Sequence, residues 1–232
     1  MQRWTVPSCI PCNRELGQLE RDLFIRLALC INPKSDAAFG LASKALRSLG
    51  LDVDGLPESE KAHRDNLRAK FRSELMPYAD LAGMPGQIPG LGPHTNQPAS
   101  WAVAIPWAGL SILIEKIARG CEYKLKERFV ESPYGIRTFV CDSDAVSEPY
   151  ASFAKSYDFG PGCNVRRVFA TEDPNAVLYW ISIWGTLYFN ARIDLEDDLR
   201  KLDEQHSKVE GIFPEQNGKA MRISPYLRCL PD

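Results

Sequence analysis

The sequence predicts an α+β fold, with a helical N-terminal half and a mostly antiparallel sheet packed on a central helix in the C-terminal half. Three observations predict it. Apolar residues recur at three- and four-residue spacing through most of the chain up to Phe129. Beyond Phe129 the period shortens, and the runs become β-branched and aromatic. Turn residues, Gly and Pro among them, punctuate those later runs.

The elements follow in order. Leu16, Leu19, Leu23, Leu27 and Cys30 share one helical face, which predicts a helix over 13–31 that Pro33 ends. Ser35 is a good N-cap for a second helix carrying Phe39, Ala42, Leu46 and Leu49, closed by Gly50. A third is predicted over 57–75. It carries Lys61, Arg64, Arg68, Lys70 and Arg72, the most basic face in the chain, which suits either a solvated helix surface or phosphate contacts. Residues 77–100 hold Pro77, Gly83, Pro85, Gly86, Pro89, Gly90, Gly92, Pro93 and Pro98, so this stretch is a long loop. His94, near its end, reads as a solvent-exposed histidine or a ligand.

Leu110, Leu113, Ile114, Ile117, Ala118 and Cys121 mark a strongly apolar helix over 107–129, the central one. Strands are predicted over 136–141, 164–170, 176–184 and 186–193. The last two form a hairpin joined through Gly185 and Thr186. The aromatics there read as core and cross-strand packing rather than a base-stacking platform. After Leu195 the chain turns polar, with one short helix and an irregular end.

Length and composition bound the function. The 232 residues suit one domain with a small appendage, here a segment over 1–32 ahead of an α+β domain over 33–232. A formal net charge of -2 and a pI near 6.0 give no overall bias towards nucleic acid, so such a contact needs a local patch. No apolar run reaches the roughly 18 residues of a spanning helix. The opening residues lack the apolar stretch of a signal peptide, so a cytoplasmic protein that makes no membrane contact is expected. Seven cysteines, an odd count, point to thiols and one metal site rather than a disulfide framework. Cys30, Cys121 and Cys141 sit in apolar stretches and read as buried, inert thiols.

Only Cys9 and Cys12 lie close together. In Val6-Pro7-Ser8-Cys9-Ile10-Pro11-Cys12-Asn13, two thiolates at the entry to a helix can grip one zinc ion from one side, and a structural site needs four ligands. This segment and the helix after it, with its early Gly17, resemble the second zinc knuckle and helix of the ββα-metal motif in HNH endonucleases. The likeness covers residues 4–30, about an eighth of the chain. More loosely, Ile114 to Gly120 and the hairpin from Trp180 to Phe189 are similar to the domain that often follows such a motif.

The resemblance implies that Cys9 and Cys12 are structural zinc ligands and that Asn13 can reach a catalytic divalent metal such as magnesium. It places the other two zinc ligands, and the histidine base that activates water, upstream of the knuckle. His63, His94 and His206 all follow it, so none carries over as that base. A truncated or degenerate nuclease relative is therefore expected, inactive as it stands. It would bind or cut DNA or RNA only when the first half of the motif is supplied. Arg14, Lys61, Arg64, Arg68 and Arg72 are the candidate nucleic-acid contacts, and a homodimer sharing one four-cysteine zinc site would complete the metal. Two other readings stay open. One is a non-catalytic interaction or assembly protein of bacterial or phage origin. The other is a thioredoxin-like redox protein, since Cys9-Ile10-Pro11-Cys12 has the Cys-x-Pro-Cys form that lowers a thiol pKa at a helix N-terminus.

Overall fold

The computed structural model describes residues 10–31, 36–50, 55, 57–77, 101–141, 150–160, 162–169 and 172–207. The fold is α+β, with five α-helices and a five-stranded antiparallel sheet among the described residues. Helix α1 spans Ile10–Cys30. It starts three residues before the predicted position, because Pro11 is tolerated in a first turn whose N–H groups have no helical partner anyway. A 3-10 turn at Asp36–Ala38 precedes α2, Leu41–Ser48. The single helix expected there is broken at Gly40, whose φ is 75°. That break leaves Phe39 88% exposed rather than on an apolar face.

Helix α3, Glu58–Ser73, buries none of its residues. Strands β1, Leu75–Pro77, and β2, Trp101–Val103, then pair antiparallel. They flank the Pro/Gly-rich stretch, which from residue 78 to 100 lies outside the described residues along with His94.

Helix α4, Trp107–Lys126, ends where Glu127 turns left-handed, and its Leu110, Ile114, Ala118 and Cys121 are buried. The large sheet comprises β3 (Tyr134–Cys141), β4 (Lys155–Asp158), β5 (Cys163–Phe169), β6 (Val177–Ile183) and β7 (Leu187–Leu195), in the order β3-β7-β6-β5-β4. Period-two alternation puts Ile136, Val165, Tyr179, Ile181, Phe189 and Ile193 on one face. That face packs against α4, and Leu23 and Leu27 of α1, with Ile31 just after it, join the same core. Each such residue withdrawn from water contributes about 1.5–3 kcal/mol.

Helix α5, Glu196–Ser207, fills the tail position where a short helix was expected. Its Leu199 is fully buried, and Arg137 of β3 reaches both its Asp203, at 2.9 Å, and its Glu196. No helix among the described residues is long and apolar enough to cross a membrane.

Candidate functional site

The N-terminal end of α1 carries most of the residues that the motif singled out. Cys12 lies inside the first turn of the helix rather than before it. Cys9 and the side chain of Cys12 are outside the described residues. Pro11, Asn13, Arg14 and Glu15 are exposed, as is Ile10 at 74%. One turn further on the helix enters the core at Leu16, and it is held there at several points. Arg26 is buried. It donates to Asp22 at 2.9 Å, to the Ala104 carbonyl at 2.6 Å and to Glu74. Glu20 pairs with Lys116 of α4. Phe24 meets the Trp184 ring edge-on at 6.1 Å. The body of α1 is thus anchored from Leu16 onward while its first turn stays exposed, and its macrodipole favours negative charge, including thiolates, at that turn.

Lys61, Arg64, Arg68 and Arg72 lie on one stripe of α3. Arg64 and Arg68 are half-buried, while Lys61 and Arg72 are exposed. Arg64 pairs with Glu60 at 2.6 Å, and Arg68 pairs with Asp65. Arg64 also donates to the Arg47 carbonyl at the end of α2, at 2.6 Å. Arg14 does not belong to this stripe: it lies about 18 Å along α1 from Arg26, the residue that joins α1 to the end of α3. His63 is exposed on α3, and the side chain of His206 is outside the described residues.

A second constellation sits under the sheet. Glu122 of α4 is fully buried. Its Oε1 accepts the Tyr179 hydroxyl and the Arg167 Nε, the latter at 3.0 Å. Arg128 Nη2 lies 2.8 Å from its Oε2, and Arg128 also donates to Asn175. Burial and then the hydrogen bond to Glu122 push the Tyr179 hydroxyl far above its ordinary value. Burial works against the charge of Arg167, but Tyr179 and Glu122 together hold its pKa above the usual value. This carboxylate is sealed from water, with both hydrogen bonds at Oε1 and the Arg128 ion pair alone at Oε2, so it ties α4, β5 and β6 together.

No protein-family model, curated protein or solved structure matches the chain. The chemistry is therefore argued from the residues. Among the described residues no group of three or more His, Cys, Asp or Glu side chains could hold a metal ion. Cys121 is buried, and Cys30 and Cys141 are half-buried. Burial raises the Cys30 thiol and pushes Cys121 up to about 12 and Cys163 up to about 11, which keeps these thiols protonated and unreactive.

Sequence reasoning missed Glu122 and Arg47. Glu122 carried a signal, since it falls four residues after Ala118 on the apolar face of α4. Arg47 carried none, because only the turn at Gly50 brings the end of α2 against α3.

Proposed function

We propose that this chain is a nuclease-type scaffold related to HNH endonucleases, in which Cys9 and Cys12 form half of a structural zinc site at the N-terminal end of α1. The observation that carries this reading is the exposed first turn of α1, which presents Asn13, Arg14 and the apolar Ile10 to solvent on a helix whose later turns are anchored in the core. Two thiolates on such a post suit a tetrahedral zinc whose remaining ligands come from another segment or another chain. An exposed Ile10 beside them is the kind of surface that a completing layer would cover. When bound, zinc would supply a structural cross-link.

In this reading the chain alone does not hydrolyse phosphodiesters. By the resemblance Asn13 would approach a divalent ion such as magnesium, but hydrolysis also needs a general base, and no histidine in the described residues lies near Asn13 in sequence. A second copy of the chain is the simplest source of the missing thiolates, giving a four-cysteine site across a dimer.

Elemental analysis and native mass test the proposal. The expected result is about one zinc per two chains in a dimer, with metal and dimer both lost on Cys9→Ser/Cys12→Ser. A wild-type chain without zinc, or zinc retained by the double variant, would overturn it.

The assembly reading draws on a different observation, the 88% exposed Phe39 next to α2. It is favoured if a dimer forms without zinc and Phe39→Ser dissolves it. A redox role for Cys9 and Cys12 has less support, because the large sheet is antiparallel and supplies no parallel βαβ unit around α1.

A further inference from the structure

We propose that the surface where the end of α2 meets α3 binds the phosphate backbone of a nucleic-acid duplex. This goes beyond the zinc reading, since it concerns another surface and another ligand.

The surface is assembled by one turn. Gly50, at φ +74°, lies so close to α3 that a Cβ on it would lie 3.2 Å from Arg64 Cβ and 3.6 Å from Arg68 Nη2. Arg64 then reaches the Arg47 carbonyl at 2.6 Å. The Arg47 backbone at the end of α2 is thereby held against Arg64 of α3. At 100° per residue, Lys61, Arg64, Arg68 and Arg72 occupy an arc of about 80° on α3 that runs roughly 16 Å along its axis.

The charges do not balance. From Arg47 to Arg72 the sequence holds six cations, Lys70 being the sixth, against the five acids Asp52, Asp54, Glu58, Glu60 and Asp65, an excess of one positive charge in a chain whose formal net charge is -2. Glu60 is spent on Arg64 and Asp65 on Arg68. Lys61, Arg72 and Arg47 are exposed. Crowding like charges costs free energy that an anionic partner offsets.

A helix kept for stability alone buries an apolar stripe. Helix α3 buries no residue and half-buries only Leu67 and Phe71 among its large apolar side chains. Its one organised face is the cationic one. Four of the six cations are arginines, whose planar guanidinium matches phosphate oxygens in pairs. The stripe carries no exposed aromatic on which unpaired bases could stack, so the fit is to a duplex backbone rather than to a single strand.

Fluorescence anisotropy with a labelled duplex DNA, titrated at several salt concentrations, tests this. Wild-type protein is expected to bind at low salt. Arg47→Ala/Lys61→Ala/Arg72→Ala, which removes only exposed side chains, should weaken binding at least about tenfold and lower the slope of log K against log salt by nearly three units. Lys126→Ala/Lys155→Ala/Arg200→Ala changes net charge equally at exposed sites elsewhere and should have far less effect. Equal urea midpoints for the wild type and both variants show that all are folded. The proposal fails if the wild type does not bind the duplex, if both triple variants lose affinity equally, or if a single strand of the same length binds as tightly. Zinc content is read separately. Duplex binding without zinc would overturn only the knuckle, and zinc without duplex binding would overturn only this surface.

Discussion

Glu122 is a carboxylate on the apolar face of α4, where a charged side chain is costly unless it is fully partnered. Here the Tyr179 hydroxyl, Arg167 and Arg128 converge on it from two strands and the loop after the helix. Removing the acid leaves two arginines without their counter-charge, one of them deeply buried. Glu122→Ala should therefore lower the unfolding free energy by about 3–5 kcal/mol. Tyr179→Phe, which removes one hydrogen bond to a charged acceptor, should cost less, about 1.5–3 kcal/mol. Urea unfolding of the two variants measures both values. A Glu122→Ala cost no larger than that of Tyr179→Phe would mean that the arginines relax into water and that the lock is weaker than its geometry indicates. At this scale the sequence was only partly legible. It singled out Asn13 and Arg14 at the helix start, which the structure exposes, and it read Cys121 as a buried thiol. It could not show that Glu122, an ordinary acid in a helical run, is the meeting point of three distant side chains.

The elements that could be read were those with enough residues to display a period. Helices α1 and α4 and strands β3, β5, β6 and β7 fall where the sequence periodicity put them, with ends displaced by a few residues, and α3 falls within the helix expected over 57–75. Strand β4 was missed because Lys155, Ser156 and Asp158 are exposed and polar, so a four-residue edge strand shows no alternation. The β1–β2 pair was missed because each strand has three residues and only tertiary contact joins them. The hairpin tip also differs from expectation. Trp184 ends the run of strand-like residues, but it sits in the turn at φ 53° beside Gly185 at φ 66°, and Thr186 N donates to the Ile183 carbonyl at 3.2 Å. A bulky residue in the left-handed region is strained. The strain is offset where the ring meets Phe24 of α1 and where Trp184 N donates to the Gly162 carbonyl at 2.7 Å. Gly162 has φ +149°, and a Cβ there would come within 2.9 Å of the Trp184 ring. Gly162→Ala should thus displace the ring and loosen the hairpin from α1, at a cost of about 1–3 kcal/mol. Chemical denaturation gives the magnitude, and the tryptophan emission spectrum of the folded variant, compared with that of the wild type, reports a change in tryptophan environment. A variant with unchanged stability and spectrum would show that the turn is not held by this contact.

For the whole molecule, the same burial that makes the core inert to thiol chemistry makes its stability depend on pH. Cys121 rises from 9.0 to about 12 and Cys163 from 9.0 to about 11, in both cases mainly because burial penalises the thiolate. Cys30 and Tyr179 shift upward for the same leading reason. In the unfolded chain these groups lose their protons near their ordinary values, while in the folded chain they keep them. Between those two points the unfolded state binds fewer protons, so stability must fall as pH rises. The contribution is fully present below pH 9 and is progressively lost as pH climbs through the values of the folded state, about 11 and about 12. Urea midpoints measured from neutral pH upward should be flat to about pH 9 and then decline. Cys121→Ala/Cys163→Ala isolates the two thiols from the other groups that titrate in this range. Its starting stability will be lower because of the cavities it creates, but its decline with pH should be shallower than that of the wild type. Equal slopes in the two proteins would mean that these thiols ionise in the folded core, and that the packing of α4 against β5 admits water.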